Sequence, residues 1–120
     1  MKINAFCIRD ILLTVEENSD FYHHTCYSKS APFERLSHYS HEEIIYHIKQ
    51  CKEFGLITDV HYYDGGTSVD IADLSPKGHE FLANIRNDSV WKKVISKCAD
   101  ASLPILLSAA KELAEKYFLG

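Results

Sequence analysis

Ser40-His41-Glu42-Glu43-Ile44-Ile45-Tyr46-His47-Ile48-Lys49-Gln50-Cys51-Lys52-Glu53-Phe54-Gly55-Leu56-Ile57 opens the stretch that decides the fold, and Leu74-Ser75-Pro76-Lys77-Gly78 closes it. Ser40 followed by Glu43 fits a capping box, in which the hydroxyl accepts from the third helical amide and the carboxylate reaches back to the cap amide. Ile44, Ile48 and Cys51 recur as one stripe with Ile45 beside it, and Gly55 supplies the left-handed residue at which a helix ends. A helix is therefore predicted over residues 41–54, with Leu56 and Ile57 turning into the core. The segments Ile57 to Tyr63 and Thr67 to Leu74 alternate in part around Asp64-Gly65-Gly66-Thr67, the composition a tight hairpin requires because its central residues take positive φ. Alternation predicts that one of Tyr62 and Tyr63 is buried. Ser75 then caps a new helix with Pro76 at its first position, where the missing amide donor does no harm, and Phe81, Leu82 and Ile85 form its apolar face.

That order is the second half of a winged helix, with residues 57–74 as the wing. Upstream, Asn4 precedes a helix expected from about Ala5 to Asn18, burying Cys7, Ile8, Ile11, Leu12 and Val15 and leaving Arg9, Asp10, Glu16 and Glu17 in water. Between Ser19 and Tyr39 periodicity fades; an edge strand around Tyr22 to Tyr27 and a helical turn around Pro32 to Leu36 are the elements this segment admits. Downstream, Asn87-Asp88-Ser89 starts a helix through Cys98, and Pro104 opens a last one through about Phe118. Trp91 is expected in the core between these two helices, because its side chain buries a large area. Leu103, Leu106, Leu107, Ala110, Leu113, Ala114 and Tyr117 make the last stripe broad. It either packs on the first helix or meets a second copy of itself, so a homodimer through the C-terminal helix is the alternative to intramolecular packing. The fold class is α+β: one winged-helix domain over residues 1–120, a helix-turn-helix with a two- to three-stranded antiparallel wing, extended by C-terminal helices over residues 87–120.

A chain of 120 residues suffices for one domain with one core. Hydrophobic residues at 46% and charged residues at 25% are ordinary globular values, which speaks against wholesale disorder. No apolar run approaches the roughly 18 to 20 residues of a membrane span, and Met1 to Arg9 lacks the pattern of a signal peptide, so a cytoplasmic protein with no membrane partner is expected. Cys7, Cys26, Cys51 and Cys98 contain no CxxC spacing and read as reduced, mostly buried thiols.

Glu53-Phe54-Gly55-Leu56-Ile57, the hairpin after it and Leu74-Ser75-Pro76-Lys77-Gly78-His79-Glu80-Phe81-Leu82 resemble bacterial winged-helix regulators of the multiple-antibiotic-resistance and phenolic-acid-repressor types, over roughly a third of the chain. Over most of the chain, Cys7-Ile8-Arg9-Asp10-Ile11-Leu12-Leu13, the Tyr39 to Ile48 stretch and Gly78 to Asp88 through Trp91 are similar to the domain-of-unknown-function 2513 family of bacteria and their prophages. That resemblance implies a mobile-element context and brings no activity with it.

If the regulator resemblance carries over, helix 41–54 enters a major groove and the Asp64 to Thr67 turn grazes a phosphate backbone. DNA binding then requires positive charge, because phosphate neutralisation supplies most of the non-specific affinity. From Ser40 to Glu80, however, three lysines stand against eight carboxylates, a formal charge of −5, and the tip Tyr63 to Ser68 holds no Lys or Arg. A protein partner suits this surface without a basic patch, since interfaces favour exposed aromatics. The expectation is a non-enzymatic winged-helix binding protein of bacterial or prophage origin that works through protein–protein contacts. The alternative is a DNA-binding transcriptional regulator using helix 41–54 and wing 57–74. The candidate contact residues are His41, Tyr46, His47, Lys49, Gln50, Lys52, Tyr63 and Asp64, with Lys29 and Arg35 nearby.

No catalytic residue, cofactor or metal is assigned. His23, His24 and Cys26 lie close in sequence and His38 and His41 are suitably spaced, but no repeated short ligand spacing supports a zinc site. His79-Glu80 lacks the second His of a zinc-protease helix, which would fall at Ala83, and Asp64-Gly65-Gly66 lacks the Lys-Ser/Thr of a phosphate loop.

Overall fold

The computed structural model describes residues 1–120 as five α-helices and one three-stranded antiparallel sheet, a mixed α+β architecture. Helix α1 spans Ala5–Asn18. The Asn4 side chain accepts from the amides of Phe6 and Cys7 at 3.0 and 3.4 Å, satisfying donors that the first turn leaves without intrahelical partners. Cys7, Ile8, Ile11, Leu12 and Val15 are buried as expected. Arg9, Asp10 and Glu16 are half-buried rather than fully in water, because the opposite flank of α1 is also covered. The Arg9 guanidinium lies 5.1 Å from the Trp91 ring centre, and Asp10 accepts from the Tyr39 hydroxyl at 2.7 Å.

Strand β1, Thr25–Ser28, begins three residues later than the expected edge strand, and a short 3-10 turn covers Glu34–Leu36. Helix α2 spans His41–Glu53. Its cap is half of the predicted box: Ser40 Oγ accepts from Glu43 N–H at 3.1 Å, while Glu43 Oε2 takes the Asn4 side-chain amide at 3.3 Å. The Glu43 carboxylate thus ties α2 to the start of α1. At the other end the Leu56 amide donates to Cys51 O at 2.8 Å and Gly55 takes φ +70°, the left-handed helix stop that a side chain resists.

Strands β2, Ile57–Tyr63, and β3, Ser68–Leu74, are joined by the turn Asp64–Gly66, where Asp64, Gly65 and Gly66 all have positive φ. The sheet order is β1-β3-β2, with Cys26 opposite Asp70 on one side of β3 and His61 opposite Asp70 on the other. Val69 and Ile71 point into the core and Asp70 points away, the two-residue period of a half-covered sheet. Tyr62 and Tyr63 are both exposed, at 44% and 54%. Alternation fails there because the core-side face of the hairpin end, which carries Tyr62, borders an open groove beside α2 rather than a packed neighbour.

Helix α3 spans Pro76–Ile85, with Ser75 Oγ accepting from Gly78 N–H at 3.0 Å. A Cβ on Gly78 would sit 2.0 Å from the Leu56 carbonyl oxygen. The Ser75 amide donates to that same oxygen at 3.0 Å, and the Ser75 hydroxyl donates to Gly55 O. The end of α2 and the start of α3 are therefore locked backbone to backbone. Helices α4, Asp88–Cys98, and α5, Leu103–Leu119, complete the chain. α5 lies against α4 and α3 rather than the expected α1, with Leu103, Leu106, Ala110 and Ala114 buried. Trp91 is buried as expected and packs edge-on to Phe6 of α1, ring centres 5.7 Å apart. One buried apolar cluster runs through all five helices and the sheet. No helix is long and apolar enough to cross a membrane.

Candidate functional site

Between helix α2 and the hairpin runs an open groove of about 530 Å³. Ile45, Lys49, Lys52 and Glu53 line it from α2, Val60 and Tyr62 from β2, and Gly65 and Gly66 from the turn. The cause is the stripe of α2. Ile44, His47, Ile48 and Cys51 are turned inward, so the residues a third of a turn away face the hairpin. Ile45 and Val60 are half-buried, whereas Lys49, Lys52 and Tyr62 are exposed. Partial burial pushes the Tyr62 phenol up, and the charge of Glu53 adds to the shift, so the ring presents a neutral hydroxyl at the groove.

The sequence candidates divide on this frame. Lys49, Lys52, Tyr63 and Asp64 are exposed, and Tyr46 and Gln50 are half-exposed on α2. His47 is not outward: it is fully buried. Its Nδ1 lies 2.8 Å from Glu43 O, and its Nε2 accepts from Asn4 N–H at 2.8 Å. A neutral ring carrying its proton on Nδ1 satisfies both partners. The segment before α1 covers this side of α2, and periodicity within α2 gives no hint of that cover. His41 is half-buried, stacked on Tyr27 at 5.7 Å between ring centres with the Tyr27 hydroxyl 2.8 Å from its Nδ1, so it fastens β1 to α2. Lys29 does reach the wing, its amide donating to Thr67 O at 2.8 Å, while Arg35 pairs with Glu17 on α1 away from the groove.

The acidic count of the central segment does not describe one face. Glu43 is held by Asn4, Asp70 lies on the outer face of the sheet, Asp73 accepts from its neighbour's Leu74 amide at 2.7 Å, and Glu80 stands beside Lys77 and Lys111 where α3 meets α5. Glu53 is the one carboxylate among the residues that line the groove.

A second cluster, on the outer sheet face, joins His24 and Cys26, weighed above as metal ligands, to Asp70, which the sequence reading did not place with them. His24 Nδ1 lies 2.7 Å from Asp70 Oδ2 and Cys26 Sγ donates to Asp70 Oδ1 at 3.2 Å. Register alone brings these residues together, since Cys26 and Asp70 are far apart in sequence. Burial raises the Asp70 carboxyl, but the His24 and Cys26 hydrogen bonds, with charge from His24 and His61, outweigh it and hold the group below the usual carboxylate range. The hydrogen bond to Asp70 pushes the Cys26 thiol up, with desolvation adding, the opposite of what a reactive cysteine requires. His23 turns to Asp20 within its own loop at 2.9 Å, and His38 leans on Tyr39. No three His, Cys, Asp or Glu side chains converge in metal-binding geometry. Cys7 and Cys51 are buried free thiols, with Cys51 pushed up to about 12 by burial, and Cys98 is half-buried.

Residues 2–104 match the family described as "Hypothetical protein (DUF2513)". The chain belongs to this family. The chain is also similar to a Haemophilus influenzae protein described as "Uncharacterized protein", 33% identical over 116 residues, spanning 96% of this chain and 93% of the relative. No solved structure matches the chain. The family match takes in α1 to α4 and the whole groove, and ends at the start of α5.

Proposed function

We propose that this DUF2513 chain is a non-enzymatic winged-helix binding module of bacterial or prophage origin whose partner is a protein. The element order helix, strand, turn, helix, hairpin and the sheet order β1-β3-β2 support a winged-helix reading in which α2 is the presented helix and the hairpin the wing. The observation that carries the protein reading is the groove itself: Ile45, Val60 and Tyr62 give it an apolar floor, and its wing end is Gly65 and Gly66 with no cation. Apolar and aromatic surface at the centre with charge at the rim is the make-up of a protein interface. The 3-10 turn Glu34–Leu36 stands where a helix-turn-helix reader carries the helix that crosses the DNA backbone.

DNA is the rival reading, favoured by one observation: Lys49 and Lys52 are exposed on the same helix as Tyr46 and Gln50, and Lys29 stands at the wing. A fluorescence-anisotropy titration with mixed-sequence duplex at low salt separates the two. The expected result is weak binding that Lys49→Glu with Lys52→Glu barely changes. Tight binding that collapses with rising salt and with that double reversal would assign the chain to DNA.

A further inference from the structure

The shape of the groove says what kind of protein segment enters it, an inference that rests on the protein-binding reading above. Strand β2 is an edge of the sheet, so one row of its backbone amides and carbonyls has no strand partner. The groove lies between that edge strand and α2. Asp59, exposed and at φ +48°, breaks the regular extended backbone early in β2, which confines pairing to Val60–Tyr63. Beyond Tyr63 the turn carries no side chain at Gly65 or Gly66, and a Cβ at either would meet nothing within 4 Å.

The helix wall sets the side-chain code. Ile45 is half-buried, while Lys49 and Lys52 are exposed, and the ion pairs of the chain employ Arg9, Arg35, Arg86, Lys116, His23 and His24 but neither of these lysines. Ile45 and Lys49 are four residues apart, about 6 Å along a helix. In an extended chain, residues two apart point the same way and lie roughly 6.6 Å apart. The two spacings match, so an apolar side chain on Ile45 places the side chain two residues further along at Lys49.

We propose that β2 accepts a short extended segment of a partner protein as an added strand, with an apolar residue against Ile45, Val60 and Tyr62 and a carboxylate two residues away facing Lys49 and Lys52. Backbone pairing supplies affinity, and the alternate side chains supply specificity. The aromatic ring of Tyr62 closes over the apolar residue, and the lysines draw in the acidic one.

The test uses the full chain, nitrogen-15 labelled, and the blocked heptapeptide Thr-Glu-Thr-Leu-Thr-Glu-Thr, which reads identically in both directions and so presumes no strand polarity. Shifts confined to Val60–Tyr63 and the Ile45–Lys52 face, with slowed amide exchange in β2, are expected. Affinity should fall at least about tenfold in Lys49→Glu/Lys52→Glu, in Tyr62→Ala and with a peptide carrying Lys for Glu. Replacing the Thr residues beside Leu with Pro should abolish binding, since Pro cannot donate to a ladder. Undiminished binding to the charge-reversed protein, shifts elsewhere, or no binding at about 1 mM peptide would each overturn strand addition. The same samples titrated with duplex DNA separate the two levels: salt-sensitive shifts on α2 from DNA and none from peptide overturn the protein reading as well, whereas silence towards both overturns strand addition alone.

Discussion

His47 shows how one side chain joins two elements. Both ring nitrogens are engaged with backbone, one from α2 itself and one from the segment before α1. His47→Ala leaves the Asn4 amide without a partner and opens a cavity, so a loss of about 2–4 kcal/mol is expected, read from the urea midpoint at unchanged m-value. His47→Gln, which keeps a polar tip, should lose less; equal losses would mean that volume and not the hydrogen bond matters. Gly78 is the other position that tolerates nothing larger, because its α-carbon faces the Leu56 carbonyl directly. Gly78→Ala should cost about 3 kcal/mol, the upper end for overpacking. Its intrinsic effect on an exposed helix would be stabilising by up to about 1 kcal/mol, so a loss of stability is the expected sign, and a gain would contradict the close approach to Leu56.

At the scale of elements, β1 is the strand most dependent on side chains, being four residues long and tied to β3 through His24, Cys26 and Asp70. The folded state holds the Asp70 carboxyl below its ordinary value. Its contribution is therefore present above the unfolded-state value of about 3.9 and lost as pH falls through the lower folded value. Asp70→Asn should lower stability at neutral pH and flatten the acid limb of a pH–stability curve. Carbon-13 carboxyl shifts of Asp70 check the direction, and a midpoint at or above the ordinary carboxylate value would sink this account. The hairpin behaves differently. Its tip carries no buried residue between Tyr62 and Ser68, which leaves it free to present surface but also means that Tyr62→Ala should cost little stability, as the binding test requires.

For the whole molecule, the decisive contacts are those of the last two helices. The apolar stripe of α5 is covered by α3 and α4, so the broad stripe is consistent with a monomer. Light scattering at micromolar concentration is expected to return the monomer mass. A mass that doubles with concentration and reverts in Phe118→Glu would instead assign a homodimer, since Tyr117, Phe118 and Leu119 are exposed at the end of α5. Leu106→Ala, at a position 1% exposed, should cost about 2–5 kcal/mol by thermal or urea unfolding. Because α5 packs beside α3, whose Ser75–Gly78 start is locked to the end of α2, this loss is expected to loosen the α2 groove too, visible as broadened Lys49 and Lys52 resonances.

The sequence by itself determined where the first four helices begin, where α2 stops and where the hairpin turns. Asn4, Ser40, Ser75 and Asn87 cap their helices through their side chains, and Gly55 and the Asp64-Gly65-Gly66 turn adopt the positive φ their residue types allow, because these signals act within four residues along the chain. Lys49, Lys52 and the hairpin were legible as candidate surface for the same reason. Tertiary structure alone decided which sides of those elements face one another. It drew His47 inward under the segment before α1, left both Tyr62 and Tyr63 exposed, turned Trp91 towards Phe6 and set α5 on α3 and α4. It also scattered the carboxylates of the acidic stretch over several faces, and it brought Asp70 to His24 and Cys26. Each of these outcomes depends on contacts between residues tens of positions apart, and no local pattern encodes which distant surface will arrive to cover a given face.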